Sequence, residues 1–163
     1  MKNRIALILF AFAAATVAAA QTLATDASTT EPSPVSVWEE SPDTIFDARD
    51  VSLDDFKWVA RPVVVFADSP LDPAYKEQIE LLTARIDELT KRDVVLIVDT
   101  ASAEKSDIRT KLRPRGFMLT VISKEGRVVL RKPFPWDVRE ISRSIDKLPI
   151  RRQEIRESKS AVE

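Results

Sequence analysis

The side chains that could carry chemistry in this sequence are carboxylates, guanidinium groups and hydroxyls, because its 163 residues include no cysteine and no histidine. Without cysteine there is no thiol nucleophile, disulfide framework, thiolate metal site or haem attachment. Without histidine there is no imidazole base, Ser-His-Asp or Cys-His site, or zinc site of the usual composition. Gly116 and Gly126 are the two glycines, so the chain also lacks a glycine-rich phosphate loop.

Charged and hydroxyl side chains collect where the predicted strands end or begin. Two acidic segments follow predicted parallel strands, and a basic segment precedes a strand that runs the other way. All three segments therefore share one edge of the sheet, and the crevice outside the carboxyl ends of parallel strands is where α/β sheets commonly bind ligands. The candidate binding site for a partner protein or a small anionic ligand consists of Asp68, Ser69, Asp72, Asp99, Arg113 and Arg115.

Each candidate also has a purely structural interpretation. Asp72 before Pro73 is typical of a helix N-cap. Asp68 or Asp99 would pair with Arg113 or Arg115 to brace the loops, and Ser69 has no visible base. Paired carboxylates could do acid–base work or hold a hard cation, but nothing in their spacing demands either. We assign no catalytic residue, metal or cofactor from the sequence.

The elements that must position these residues follow from hydrophobic patterning. Four short apolar runs rich in β-branched residues predict strands, and two apolar stripes at helical spacing predict helices packed on the sheet. The strands are Val63–Phe66, Val94–Val98, Phe117–Ile122 and Val128–Arg131, and the helices are Tyr75–Leu89, Val138–Leu148 and a short one over Ser106–Leu112.

The order of these elements predicts an α/β fold. Strand, helix and strand with this crossover length form a right-handed parallel βαβ unit. The turn Ser123-Lys124-Glu125-Gly126 then joins an antiparallel hairpin. The whole is a thioredoxin-like βαβ-(α)-ββα sandwich with a four-stranded mixed sheet, in which Trp58 and Trp136 are predicted to fill the core.

The N-terminal segment has the pattern of a cleavable signal peptide over residues 1–20. Lys2 and Arg4 precede an apolar run, and Ala18-Ala19-Ala20 offers a cleavage site before Gln21. We expect a periplasmic or secreted protein with no stable membrane insertion after cleavage. Residues 21–44 are rich in Pro, Thr, Ser and acids and predict a flexible lead with Trp38 as its anchor, residues 45–150 form the folded domain, and residues 151–163 form a charged tail.

The charge balance argues against a nucleic-acid partner. Cleavage would leave 23 basic and 26 acidic side chains, so the mature chain lacks a net basic footprint. Residues 21–60 carry nine acidic and two basic side chains, whereas residues 127–163 carry ten basic and six acidic ones. This asymmetry fits either docking of the two ends or solvated faces. Arg151, Arg152 and Arg156 alternate with acids in the tail, which favours a solvated helix over an anion-binding one.

Four segments carry a resemblance to a known family. They are Trp58–Phe66 (WVARPVVVF), Asp72-Pro73, Arg92-Asp93-Val94-Val95, and Phe117–Arg131 with its Lys-Glu-Gly turn. Over about Ile45 to Arg156 the chain resembles domain-of-unknown-function family 4174, whose bacterial members are exported and whose related domains occur in animal sushi-repeat extracellular proteins. The resemblance implies a thioredoxin-like or peroxiredoxin-like fold and brings no established catalytic residues.

The resemblance also indicates where a thioredoxin-like protein would hold its redox pair, here Ala67–Pro73. No cysteine is present there or elsewhere, which excludes thiol–disulfide exchange and thiol peroxidase chemistry. The proline that such proteins keep in cis before the third strand is also missing, since Arg115-Gly116 precede Phe117. Two functions stay open: a redox-inactive binding module of the cell envelope, which we favour, and an enzyme of unrecognised type using the Asp/Arg cluster.

Overall fold

A computed structural model describes residues 32–161. Its sheet has five strands in the order β1-β3-β2-β4-β5. The strands are β1 Ile45–Asp47, β2 Arg61–Phe66, β3 Val94–Asp99, β4 Met118–Ile122 and β5 Val128–Lys132. The predicted signal peptide, residues 1–20, and its cleavage point before Gln21 lie outside the described residues.

Strand pairing confirms the predicted mixed sheet and corrects its strand count. β2 pairs with β3 in parallel, with Val63 opposite Leu96, and with β4 in antiparallel, with Val65 opposite Leu119. β4 and β5 form the predicted antiparallel hairpin, with Gly126 at φ 83° in its turn. This arrangement is the predicted thioredoxin-like sandwich.

The prediction of four strands is wrong because β1 adds a fifth at the edge, parallel to β3. This strand spans three residues, none of them fully buried. Such a short edge strand has too few residues to show a periodic pattern, and its pairing with β3 fixes its conformation.

The helices cover both faces of the sheet. They are α1 Pro34–Glu40, α2 Pro73–Thr83, α3 Ile86–Thr90, α4 Asp107–Leu112, α5 Val138–Asp146 and α6 Pro149–Ser160. Asp72, Ser106 and Asp137 cap α2, α4 and α5 by accepting hydrogen bonds from backbone N–H groups of the first turn. None of these helices is long and apolar enough to cross a bilayer.

The predicted helix Tyr75–Leu89 is in fact two helices. The Thr83 hydroxyl donates to the Ile79 carbonyl at 2.8 Å, and Arg85 leaves helical geometry while its guanidinium pairs with Glu88 at 2.6 Å. Side-chain hydrogen bonds of this kind compete with the helical ladder. The apolar stripe nevertheless survives the break, because Leu82 and Leu89 are both fully buried.

Alternate residues of β2 enter two different cores. Val63 and Val65 pack under α2, α3 and α5, whereas Val64 and Phe66 pack with Trp38, Phe56 and the apolar side of α4. A strand buried on both faces has a continuous apolar run, and Val63–Phe66 of β2 shows this pattern.

Part of the predicted flexible lead is ordered. Pro34 starts α1 instead of blocking regular structure, because a proline at the first helical position has no N–H to pair and a suitable φ. Trp38 is buried on this helix, and its indole Nε1 donates to the Val94 carbonyl at 3.3 Å. The residue therefore does anchor the lead, by packing against the sheet.

The second long helix is shorter than predicted. α5 ends at Asp146, and Leu148 is the N-cap residue of α6, which begins at Pro149. The tail is helical as predicted.

Candidate functional site

A buried ion pair occupies the edge of the sheet where β2 and β3 end. Asp99 closes β3 with 3% of its surface exposed. Its Oδ1 accepts hydrogen bonds from Arg109 Nε at 3.0 Å and Nη2 at 2.8 Å, and its Oδ2 accepts one from the Ser106 hydroxyl at 2.7 Å. The backbone N–H of Ala101 adds a longer bond at 3.3 Å. Both carboxylate oxygens are therefore engaged within the protein.

Arg109 ties the ends of two strands to α4. Its Nη2 also donates to the carbonyls of Ala67 at 2.8 Å and Asp99 at 3.0 Å, and its guanidinium lies 5.5 Å from the centre of the Phe66 ring. The remaining nitrogen, Nη1, makes no hydrogen bond with residues 32–161; Asp68 Oδ1 lies 3.8 Å away. Three of the five guanidinium N–H groups thus hold the loop together, and two remain.

The candidate residues that follow β2 mostly shape the loop between β2 and α2. Asp72 accepts from the N–H of Ala74 at 2.8 Å and caps α2, as the Asp-Pro sequence predicted. Ser69 Oγ accepts from the N–H of Leu71 at 3.2 Å. Asp68 has an exposed carboxylate, with 63% of the side chain accessible, and is the member of this segment that faces solvent at the site.

The two predicted arginines do not pair with the predicted acids. Arg113 and Arg115 are exposed and make no ion pair with any residue between 32 and 161. The interpretation in which they brace Asp68 or Asp99 is wrong, because Arg109 takes that position.

Arg109 escaped the sequence analysis because it lies inside a predicted helix. It is the third residue of α4, behind the cap Ser106. Side chains on a helix tilt toward its N-terminus, so an arginine in the first turn reaches back to the strand end that leads into the cap. A cap residue followed three positions later by arginine is the signal that was available.

A cleft of about 380 Å³ opens beside this ion pair, on the α4 side of the edge. Three basic and two hydroxyl side chains line it. Its residues are Ser102, Lys105, Arg109, Thr110, Arg113 and Pro114. Arg113 ends α4 in the left-handed region, at φ 50°. We call this the α4 cleft.

A second ionic cluster lies at the opposite end of the sheet. The Arg61 side chain, 1% exposed, donates to Glu154 Oε1 at 2.8 Å and to the Arg92 carbonyl at 2.8 Å. Lys124 bridges Glu154 at 3.1 Å and Asp93 at 2.8 Å. This cluster joins α6 to the body of the domain.

The prediction of a fully solvated tail is therefore wrong for Arg151 and Glu154. Arg151 donates to Glu154 at 3.1 Å and to the Lys91 carbonyl at 3.0 Å. Burial, the largest single influence, raises the pKa of Glu154, but hydrogen bonds from Arg61, Lys124 and Arg151 together hold that pKa below its usual value. Arg152 and Arg156 remain exposed.

Neither of the two tryptophans predicted to fill the core is fully buried. Trp58 is 63% exposed and has φ 68°, and its backbone N–H donates to the Lys124 carbonyl at 2.7 Å. Phe56 and Ala60, the buried residues on either side of this segment, belong to the core instead. Trp136 is half-buried, with Lys132 Nζ 4.4 Å from its ring centre.

Metal binding by clustered acids finds no support in the described part of the chain. Between residues 32 and 161, no three acidic side chains come together in a way that could hold a metal ion.

These features define a thioredoxin-like domain in which a buried Asp–Arg pair occupies the edge that carries thiols in redox members of the fold. The chain belongs to the family described as Domain of unknown function (DUF4174), whose sequence profile matches residues 52–154. This membership confirms the resemblance seen in the sequence.

Two solved structures are similar to this chain. Thioredoxin peroxidase I of Plasmodium yoelii shares 20% identity at a TM-score of 0.47, covering 63% of this chain and 80% of its own. The mitochondrial 2-Cys peroxiredoxin of Plasmodium falciparum shares 18% identity at a TM-score of 0.45, covering 62% and 84%. No curated protein matches the chain.

Proposed function

We propose that this protein is an exported, redox-inactive binding module of the cell envelope that uses a thioredoxin-like scaffold to present the carboxyl edge of its sheet. The observation that carries the proposal is the state of Asp99. Its two oxygens accept four hydrogen bonds from Ser106, Arg109 and Ala101. A carboxylate committed in this way braces the edge, and with 3% of its surface exposed it is closed to a substrate.

The same geometry argues against the enzyme interpretation. A general base must reach its substrate within hydrogen-bond distance, directly or through one water. Asp99 is 3% exposed, and Asp72 is used as a helix cap. The Asp68 carboxylate is open to solvent but stands alone among the described residues, with no second acid beside it and no hydroxyl bonded to it; the Ser102 hydroxyl donates to the Asp68 backbone carbonyl, at 3.4 Å.

Export is the other half of the proposal and rests on the sequence of residues 1–20. Expression of the whole chain in a Gram-negative host should yield a periplasmic species whose mass begins at Gln21. Intact-mass measurement of the periplasmic and membrane fractions tests this. A membrane species that retains Met1 would contradict it.

Binding at the carboxyl edge is tested by site-specific photocrosslinking in that host. A photoreactive side chain replaces Arg115, which is exposed beside the α4 cleft, and in a matched strain replaces Arg152, which is exposed on α6. We expect a discrete crosslinked species from position 115 and none from position 152. Equal crosslinking from both positions, or none from either, would overturn the proposal.

The enzyme alternative is tested by activity assays. Turnover of thiol, ester or glycoside reporter substrates by the purified protein, abolished by Asp68→Asn, would replace the binding module with a catalyst. We expect no turnover with any of them.

A further inference from the structure

The α4 cleft combines positive charge with hydroxyl donors in a way that specifies a ligand class. We propose that it binds a phosphate group carried by a small molecule. This inference rests on the proposed function, because it names the chemistry that the carboxyl edge recognises. Lys105, Arg109 and Arg113 supply the charge, and Ser102 and Thr110 supply the hydroxyls.

Arg109 makes the cleft a preorganised site. Its side chain is 9% exposed and is fixed by hydrogen bonds to Asp99 and Ala67, so its position costs no further ordering when a ligand arrives. Nη1 is the nitrogen left without a hydrogen bond, and Arg109 lines the cleft. Two N–H donors on one rigid nitrogen suit the oxygens of a phosphate or sulfate.

Lys105 and Arg113 add charge that no protein acid neutralises. Neither forms an ion pair with any residue from 32 to 161. Arg113 is held at φ 50°, a conformation that non-glycine residues adopt at an energetic cost.

The surrounding acids favour a doubly charged ligand over a carboxylate. Asp99 lies behind Arg109 and cancels much of its charge, and Asp68 Oδ1 stands 3.8 Å from Nη1. A singly charged ligand would gain little from the remaining two cations. A phosphate monoester offers three acceptor oxygens and about −1.5 to −2 charge at neutral pH, enough to displace the exposed Asp68 side chain.

The size of the cleft favours a small molecule over a bare ion or a polymer. Its volume of about 380 Å³ falls at the lower end of the range for small-molecule sites, roughly 300–1,000 Å³. The phosphate group would sit against Arg109 and Arg113, and the rest of the molecule would lie toward Pro114.

The test is a titration of the protein purified from expression of the whole chain and labelled with nitrogen-15. The probes are phosphoserine, inorganic phosphate, inorganic sulfate and acetate at low, constant ionic strength, because salt screens such contacts. We expect saturable shifts at Ser102, Arg113 and the Arg109 Nε–H with phosphoserine, weaker ones with the inorganic ions, and none with acetate. Equal shifts with acetate, or shifts spread over the surface, would overturn the proposal.

Matched variants separate direct contact from general attraction. Arg113→Gln and Lys105→Gln remove cleft cations, and Arg115→Gln removes one exposed charge nearby that does not line the cleft. We expect Arg113→Gln to raise the Kd for phosphoserine about tenfold or more and Arg115→Gln to change it less than about twofold. Asp68→Asn should lower the Kd. Equal losses in Arg113→Gln and Arg115→Gln would contradict the site.

The titration and the crosslinking fail independently. Crosslinking from position 115 without phosphoserine binding would overturn the phosphate site in the α4 cleft but would still support a binding module. Phosphoserine binding without crosslinking would keep the site and overturn the envelope partner. Flotation with phosphatidylglycerol vesicles that Arg113→Gln abolishes, without phosphoserine binding, would assign the cleft to a lipid headgroup and overturn the small-molecule ligand.

Discussion

The Asp99 carboxylate and the Arg109 guanidinium share two hydrogen bonds, at 3.0 and 2.8 Å, although only 2% and 9% of their side chains are accessible to solvent. Removing one partner leaves a buried charge unpaired, which costs about 3–5 kcal/mol. We expect Arg109→Met to lower the free energy of unfolding by that amount, measured by urea denaturation. An exposed brace between Asp99 and Arg113 or Arg115, one of the interpretations open from the sequence, would make Asp99→Asn cost only about 0–1 kcal/mol. The buried pair predicts a large loss.

A double-variant cycle is the control for this pair. The two side chains touch, so the loss in Asp99→Asn combined with Arg109→Met should be clearly smaller than the sum of the single losses. Additive losses would mean that the two residues stabilise the domain independently. Arg113 is exposed at the end of the same helix, so Arg113→Gln should leave the free energy of unfolding within about 0.5 kcal/mol of the parent value.

Trp58 holds a left-handed backbone conformation while exposing its ring. A side chain with a Cβ costs about 1–2 kcal/mol in that conformation, and glycine does not. We therefore expect Trp58→Gly to be more stable than Trp58→Ala by about 1 kcal/mol in thermal unfolding, although both variants lack the indole. An alanine variant as stable as the glycine variant would show that the conformation carries no strain.

Acid sensitivity should come in part from the cluster around Glu154. The pKa of this carboxyl is lowered below its usual 4.5 in the folded protein, since its hydrogen bonds from Arg61, Lys124 and Arg151 outweigh burial. A carboxyl with a lowered folded pKa stabilises the fold above its unfolded pKa, and that contribution is lost as the pH falls through the folded pKa. We expect the free energy of unfolding to decline as the pH drops below about 5.

Asp47 adds to the same decline. The side-chain hydrogen bond from Arg49 is the largest influence on its pKa and lowers it.

Glu154→Gln should flatten part of the acid-induced loss and should destabilise the protein at neutral pH, because the buried Arg61 loses its anionic partner. Glu157→Gln, exposed on the same helix, is the matched control, and an equal effect in both variants would contradict the role of the cluster.

The apolar stripes of α2 and α5 should differ in their importance. Ile141 is fully buried, so Ile141→Ala should cost about 2–5 kcal/mol. Ile79 is half-buried and packs at the margin of the same core, so Ile79→Ala should cost clearly less. Urea denaturation of the two variants measures this, and equal losses would show that both stripes are equally buried.

Local sequence was enough to predict most of the sheet and its main helices. The runs at Val63–Phe66 and Val94–Val98 are apolar at every position because both of their faces are covered. Asp72-Pro73 marks the start of α2 because capping and a fixed proline φ depend on adjacent residues alone. Parallel pairing of β2 with β3 follows from the length of the connection between them.

Tertiary structure decided which charges meet. Arg109 reaches Asp99 from ten positions away because α4 folds back over the strand ends, and Arg61 meets Glu154 across 93 positions. Arginine side chains are long, so several of them can reach any one acid, and spacing along the chain does not choose among them. The three-residue β1 escaped prediction for a related reason, because its pairing with β3 fixes its conformation. The sequence around Trp58 likewise does not reveal its left-handed backbone or its exposed ring.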